Sequence, residues 1–198
     1  MEVPHSHYDT LIPLLNATKS FEIFDHNKTY LETRELSFFT NYDLLIAHTF
    51  SSIPPLKFHF LWNKINNDII AIDGTREAIF DNLDKLKIVC TKKTMVPYVK
   101  FVLDCVWSDK GSLRLTEDIE DIKFSDKLSE DDLQFLSKTI RPAKVTKNDA
   151  VFEIDCIIIY GTEVYQSNIT LQENGIFEIV SETELRANMR CLRVIFLE

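Results

Sequence analysis

Two histidines and an aspartate, His48, His59 and Asp73, are the residues whose types and spacing best suit them to chemistry. An imidazole gives and takes protons near neutral pH, and a carboxylate beside it fixes its orientation. His48 ends the apolar run Leu44–Ala47, and His59 stands among Phe58, Phe60 and Trp62. Both are expected on paired strands, side by side, with Asp43 or Asp73 supplying the carboxylate. That cluster would serve a small hydrolase or transferase with a dispersed site. The competing expectation is two structural histidines, each held by a hydrogen bond.

Asp73 also closes the run Ile69-Ile70-Ala71-Ile72-Asp73-Gly74-Thr75. These residues resemble the first motif of the haloacid-dehalogenase-type phosphatases, Asp-x-Asp-Gly-Thr. There the first aspartate is the nucleophile and the second the acid/base. Ala71 occupies the nucleophile position and attacks nothing. Asp73-Gly74 then reads as a turn and Thr75 as the cap of the next helix.

Other chemistries are excluded or left without residues. Only 4 of 198 residues are glycine, about a third of the usual ~7%, and no glycine-rich phosphate loop, nucleophile elbow or H-E-x-x-H pattern occurs. Cys90, Cys105, Cys156 and Cys191 have neither zinc-ligand spacing nor the density of a disulfide framework. Buried reduced thiols are expected, with Cys90, flanked by lysines, as the one allowed exception. No metal and no cofactor is expected. The Met1–His7 segment lacks the basic and apolar parts of a leader, and no apolar run is long enough to span a membrane. A cytoplasmic location follows as the expectation, and heavy use of Phe, Ile, Lys and Asn suggests a bacterial, A/T-rich genome.

Charge is laid out unevenly around the net −9. Residues 149–184 carry eight acidic side chains and no Lys or Arg. Duplex nucleic acid is a poor partner for such a chain, because neutralising phosphates dominates that affinity. Two basic islands lie at 85–100 and 138–147; Lys92, Lys93, Arg141 and Lys144 would form an anion patch if the fold joined them. Within the acidic stretch, Ile157 and Ile159 share one side of a strand with Glu153 and Asp155. Exposed, these four would bind a protein partner or a second copy of the chain. Covered by the central helix, they would be core.

The elements that must position these residues are strands grouped at both ends and helices in the middle. Grouping of this kind implies an α+β fold, an antiparallel sheet against about three central helices in a single domain over 1–198. A first helix is expected over 10–17, with Pro13 in its first turn. Strands follow at 20–24, 30–36, 42–50, 57–63 and 68–72 in a β-rich region, 20–72. Helices are expected over 76–86 from Thr75, over 95–107 from Thr94, and over 130–139 from Ser129, making a helical region 76–139. The second of these is apolar nearly all round, which makes it the central helix, with Val99, Val102 and Val106 buried. The meander, 149–180, comprises strands at 151–160, 164–171 and 176–180, the last two joined by the Asn174-Gly175 turn. One helical turn at 181–184 and an edge strand over 192–197 complete the expectation. The function expected from all this is a non-enzymatic protein-interaction or ligand-binding module, with the hydrolase or transferase as the alternative.

Overall fold

Hydrophobic alternation builds two antiparallel sheets that do not merge. They are described by a computed structural model over residues 1–108, 111–122, 124 and 127–189; Cys191 and the strand expected over 192–197 lie outside these residues. Helix α1 (Tyr8–Ala17) comes first and starts earlier than expected, so Pro13 falls inside it rather than in its first turn. Tyr8 causes the difference: it is buried, and its hydroxyl accepts a 3.0 Å hydrogen bond from the Leu31 amide. Residues 20–24 form no strand. The Asn16 side chain accepts from the amides of Ile23 and Phe24 and donates to the Phe24 carbonyl, which uses the groups that a neighbouring strand would need.

Four strands then run as a meander, β1 (Thr29–Arg34), β2 (Tyr42–Thr49), β3 (Leu56–Asn63) and β4 (Ile69–Ala71), in that spatial order. Leu31, Leu45, Ala47, Phe60 and Trp62 face α1 and pack on Leu11, Ile12 and Leu15. Leu44, Ile46, Leu61 and Ile70 face the opposite way, into the main core.

The expected helix over 76–86 is broken into α2 (Glu77–Phe80) and α3 (Leu83–Leu86). The Asn82 side-chain amide takes the Ala78 carbonyl at 3.0 Å, and the Asn82 backbone N–H turns to Ile79 instead. Helix α4 (Lys92–Cys105) starts three residues before the expected first residue, because Thr91 and Thr94 cap it reciprocally. Pro97 is therefore interior to the helix. Val99 and Val102 are fully buried, while Val106 caps the helix end half-exposed. Beyond it the chain pairs as β5 (Trp107–Ser108) and β6 (Gly111–Thr116). Helix α5 (Glu130–Thr139) begins where its cap places it, with the Ser129 hydroxyl accepting from the Asp132 amide.

The second sheet is completed by β7 (Lys144–Asn148), β8 (Val151–Tyr160), β9 (Glu163–Gln172) and β10 (Phe177–Arg186). On one side β8 pairs with β9; on the other it pairs with β7 along its first half and β6 along its second. The hairpin into β10 needs Gly175, whose φ is +95° and whose missing side chain leaves room for the Tyr98 hydroxyl to reach the Gly175 carbonyl at 2.7 Å. Residues 181–184, expected as a helical turn, continue β10. Ser181 accepts a hydrogen bond from the Asn168 side chain and Glu182 one from Ser167, both across to β9 rather than along a helix.

The result is an α+β fold layered around α4. One apolar cluster lies between α1 and the first sheet. The largest joins that sheet's other face, α2 to α4 and the inner face of the second sheet. The third lies under α5 on the second sheet's outer face.

Candidate functional site

The register of the first sheet brings His48 and His59 onto one face as diagonal neighbours. Across the strands run two rows, Tyr30–His48–Lys57 and Glu32–Ile46–His59, with Arg34 two residues along β1 on the same side. This corner continues the core-facing side of the sheet beyond the point where apolar residues end. Its carboxylate is Glu32, not either aspartate: Glu32 Oε1 lies 3.1 Å from His48 Nε2. The contact holds the Glu32 carboxyl below its ordinary range. His59 is pushed down to about 4, chiefly by burial and then by the positive charge of Lys57, His48 and Arg34. At neutral pH it is an uncharged imidazole.

Asp43 and Asp73 are elsewhere. Asp43 stands opposite Trp62, on the face turned to α1, and pairs with Lys64. Asp73 accepts from both the amide and the hydroxyl of Thr75, at 2.9 and 2.7 Å, which is the turn expected of it. These bonds hold its carboxyl below the usual range. The cation that acts on it is Lys19, whose ammonium lies over the Phe58 and Phe60 rings, on the side of β3 away from His59. The expected grouping of His48, His59 and Asp73 is therefore corrected: the two histidines meet, and Asp73 does not join them. The clefts of 390 to 590 Å³ beside Asn41, Pro13, Asp84 and Ser51 are not lined by His48, His59 or Asp73. A Glu–His pair can orient an imidazole and relay a proton, but none of these clefts seats a substrate against it.

The surface expected from Ile157 and Ile159 is corrected too. They are 2% and 5% exposed, packed with Ile122, Leu136 and Val164. The cover is α5 and the turn at Ile119–Ile122, not the central helix. Asp155 is engaged as well, by two hydrogen bonds of 2.8 and 2.9 Å from Arg141 and one from Gln166, and these hold it below the ordinary carboxylate range against the opposing effect of burial. Of the four expected residues, Glu153 alone stays exposed.

The anion patch is not assembled. Lys92 and Lys93 are exposed at the start of α4, on the inner side of the second sheet, while Lys144 stands opposite Asp155 on its outer face. Arg141, tied to that same carboxylate, belongs with Lys144. The Cys90 thiol donates to the Glu173 carbonyl, and burial and Glu173 push it up, against the exception made for it. Cys105 and Cys156 are buried and pushed up further, Cys156 to about 12. All three are free thiols.

Two features were not anticipated. Glu32 is the partner of His48, and the sequence carries a signal for it, since Glu32 alternates with apolar Leu31 on a strand able to pair with that of His48. The other is the open half of the second sheet. Beyond the reach of α5 its outer face shows Thr146, Glu153, Asn168, Gln172, Glu178, Ser181 and Thr183, all exposed. No helix of the described residues is long and apolar enough to cross a membrane, and no group of three or more His, Cys, Asp or Glu among them has metal-binding geometry. Comparison of the chain with family models, with curated proteins and with solved structures finds no match.

Proposed function

We propose that the chain is a non-enzymatic protein-binding module and that it engages its partner through the open, polar half of the second sheet. The observation that carries this reading is the contrast in cover. Helix α5 seals Ile157 and Ile159 at one end, whereas among the described residues no helix lies over the polar residues at the other end. Polar rows such as Asn168–Ser181 are joined by cross-strand hydrogen bonds. Such a face gives a partner register through hydrogen bonds and selectivity through charge.

Photo-crosslinking in the native cells tests it. A photoreactive residue at Asn168 or Thr183 is expected to give an adduct of discrete mass, and one at Phe21, an exposed residue by the first sheet, is not. His48→Ala should leave the adduct unchanged. Adducts from position 21 alone, or none from 168 and 183, overturn the reading.

The hydrolase or transferase reading retains one supporting observation, the Glu32–His48 contact. It requires an activity on a small ester or phosphoryl substrate that His48→Ala and Glu32→Gln both abolish while the fold is intact.

A further inference from the structure

Strand β10 is the end of its sheet. Its one side is paired with β9, and among the described residues nothing pairs with the other. The side left without a partner among the described residues runs the length of Phe177–Arg186, and a strand edge with unpaired N–H and C=O groups is a template for another strand. Side chains decide which strand fits. Glu178, Glu182 and Glu184 are exposed along it, Glu178 toward the outer face and the other two toward the inner. The one cation of the strand, Arg186, is held by Asp131 and Asp132 of α5 at 2.7 and 2.8 Å. Val180, 58% exposed, stands at the irregularity between Ile179 and Ser181 and offers an apolar contact.

We infer that the outer edge of β10 takes up an extended basic segment of a partner protein as an added strand, an inference that rests on the reading of this sheet as the binding surface. Lysines or arginines at every second position of the segment lie on one face and meet Glu182 and Glu184 on the inner side, with Glu178 adding its charge from the outer side, while the main-chain bonds supply register. A second copy of the chain is the wrong occupant, because edge-to-edge pairing sets glutamate against glutamate. The bulges between Ile179 and Ser181 and between Glu184 and Arg186 limit regular pairing to 177–179 and 181–184, so the added strand is short.

The test uses the full chain and three labelled probes: the peptide Lys-Val-Lys-Val-Lys-Val, its Glu-Val counterpart, and the Lys-Val peptide N-methylated at every residue. Fluorescence anisotropy should show binding of the first alone, weakened at least tenfold by the combined substitution Glu178→Lys, Glu182→Lys and Glu184→Lys. Hydrogen exchange of the amides in 177–186 should slow on binding. Equal binding of the methylated peptide would mean charge attraction without strand addition, and overturns the inference. So do equal binding of the acidic peptide, no binding at all, or amides of 177–186 already slow in the dilute free chain, which would show the edge already occupied. If the peptide fails while position 168 still crosslinks, the sheet face is the surface and only the edge assignment falls. If the crosslinks fail as well, the binding reading falls with it.

Discussion

The two sheets are built alike and covered differently. The first has α1 on one face and the main core on the other, with a charged corner around Glu32, His48 and His59 beyond the last residues of that core. The second buries its inner face in the same core but receives on its outer face a helix that contributes one fully buried side chain, Leu136. Helix α1 contributes four buried residues, Tyr8, Leu11, Ile12 and Leu15, from the same length of helix. Both helices have ten residues, so the difference lies in which side chains they carry. Acidic Glu130, Asp131 and Asp132 suit the start of α5 and its dipole but leave little apolar surface to lay on a sheet. A sheet sealed on both faces spends its side chains on packing; a half-covered one leaves polar side chains to solvent.

The largest test of this contrast is at the layer both sheets share. Val102 is fully buried on α4, and Val102→Asp should unfold the chain, since an unpaired buried charge costs more than the ~5–15 kcal/mol margin of a typical domain can absorb on top of the lost packing. Retained cooperative melting of that variant would place α4 at the surface. Next come the two covers. Leu15→Ala should cost about 3–4 kcal/mol and Leu136→Ala about 2–3, both by denaturant unfolding. Hydrogen exchange should separate them further, with α5 opening locally in the second variant while α1 remains coupled to global unfolding in the first. Equal costs and equal exchange would remove the distinction between the sheets.

The corner supplies a pH signature. His59 is depressed to about 4 in the fold, whereas the unfolded chain titrates near its ordinary 6.5. The unfolded state therefore binds more protons between these values, so stability is full above 6.5 and falls as pH drops toward 4, by up to ~3 kcal/mol. His59→Phe should flatten that part of the stability profile; an unchanged slope would show His59 to be solvated. A smaller effect of opposite sign belongs to Asp104. Burial raises its carboxyl to about 6 despite Arg114 at 3.6 Å, and its Oδ1 has no hydrogen-bond partner. The folded state then holds the proton more tightly, so Asp104 costs stability above pH 6 and ceases to do so as pH falls toward its ordinary value. With 39% of the side chain exposed, water screens much of this, and Asp104→Asn should stabilise by only about 1 kcal/mol at pH 8 and by nothing at pH 4.

Much of the fold was legible because its signals were local. The Ser129–Asp132 cap placed α5 over 130–139, and apolar residues alternating with Glu153 and Asp155 placed β8 over 151–160. Where side chains reached across the fold, local reading failed. Asn16 kept 20–24 from becoming a strand, Asn82 split the middle helix, and Asn168 and Ser167 drew 181–184 into β10. Strands β5 and β6 are short, and β7, Lys-Val-Thr-Lys-Asn, has only half-buried Val145 to announce it. The candidate site shows the same division. Period-two spacing was enough to set His48 and His59 on neighbouring strands, but their carboxylate depended on β1 pairing with β2. Ile157 and Ile159 were open to both readings from their own strand, because what covers them, Leu136 on α5 and Ile122 before it, lies far off in the chain and outside any local pattern.

The most direct test is hydrogen exchange on the protein isolated from its native cells with whatever it binds, compared with the same chain alone. The account predicts added protection in residues 163–186 and no change in 29–71. Added protection confined to 29–71, or to the exposed loops at 19–25 and 50–56, would contradict it, as would identical exchange throughout.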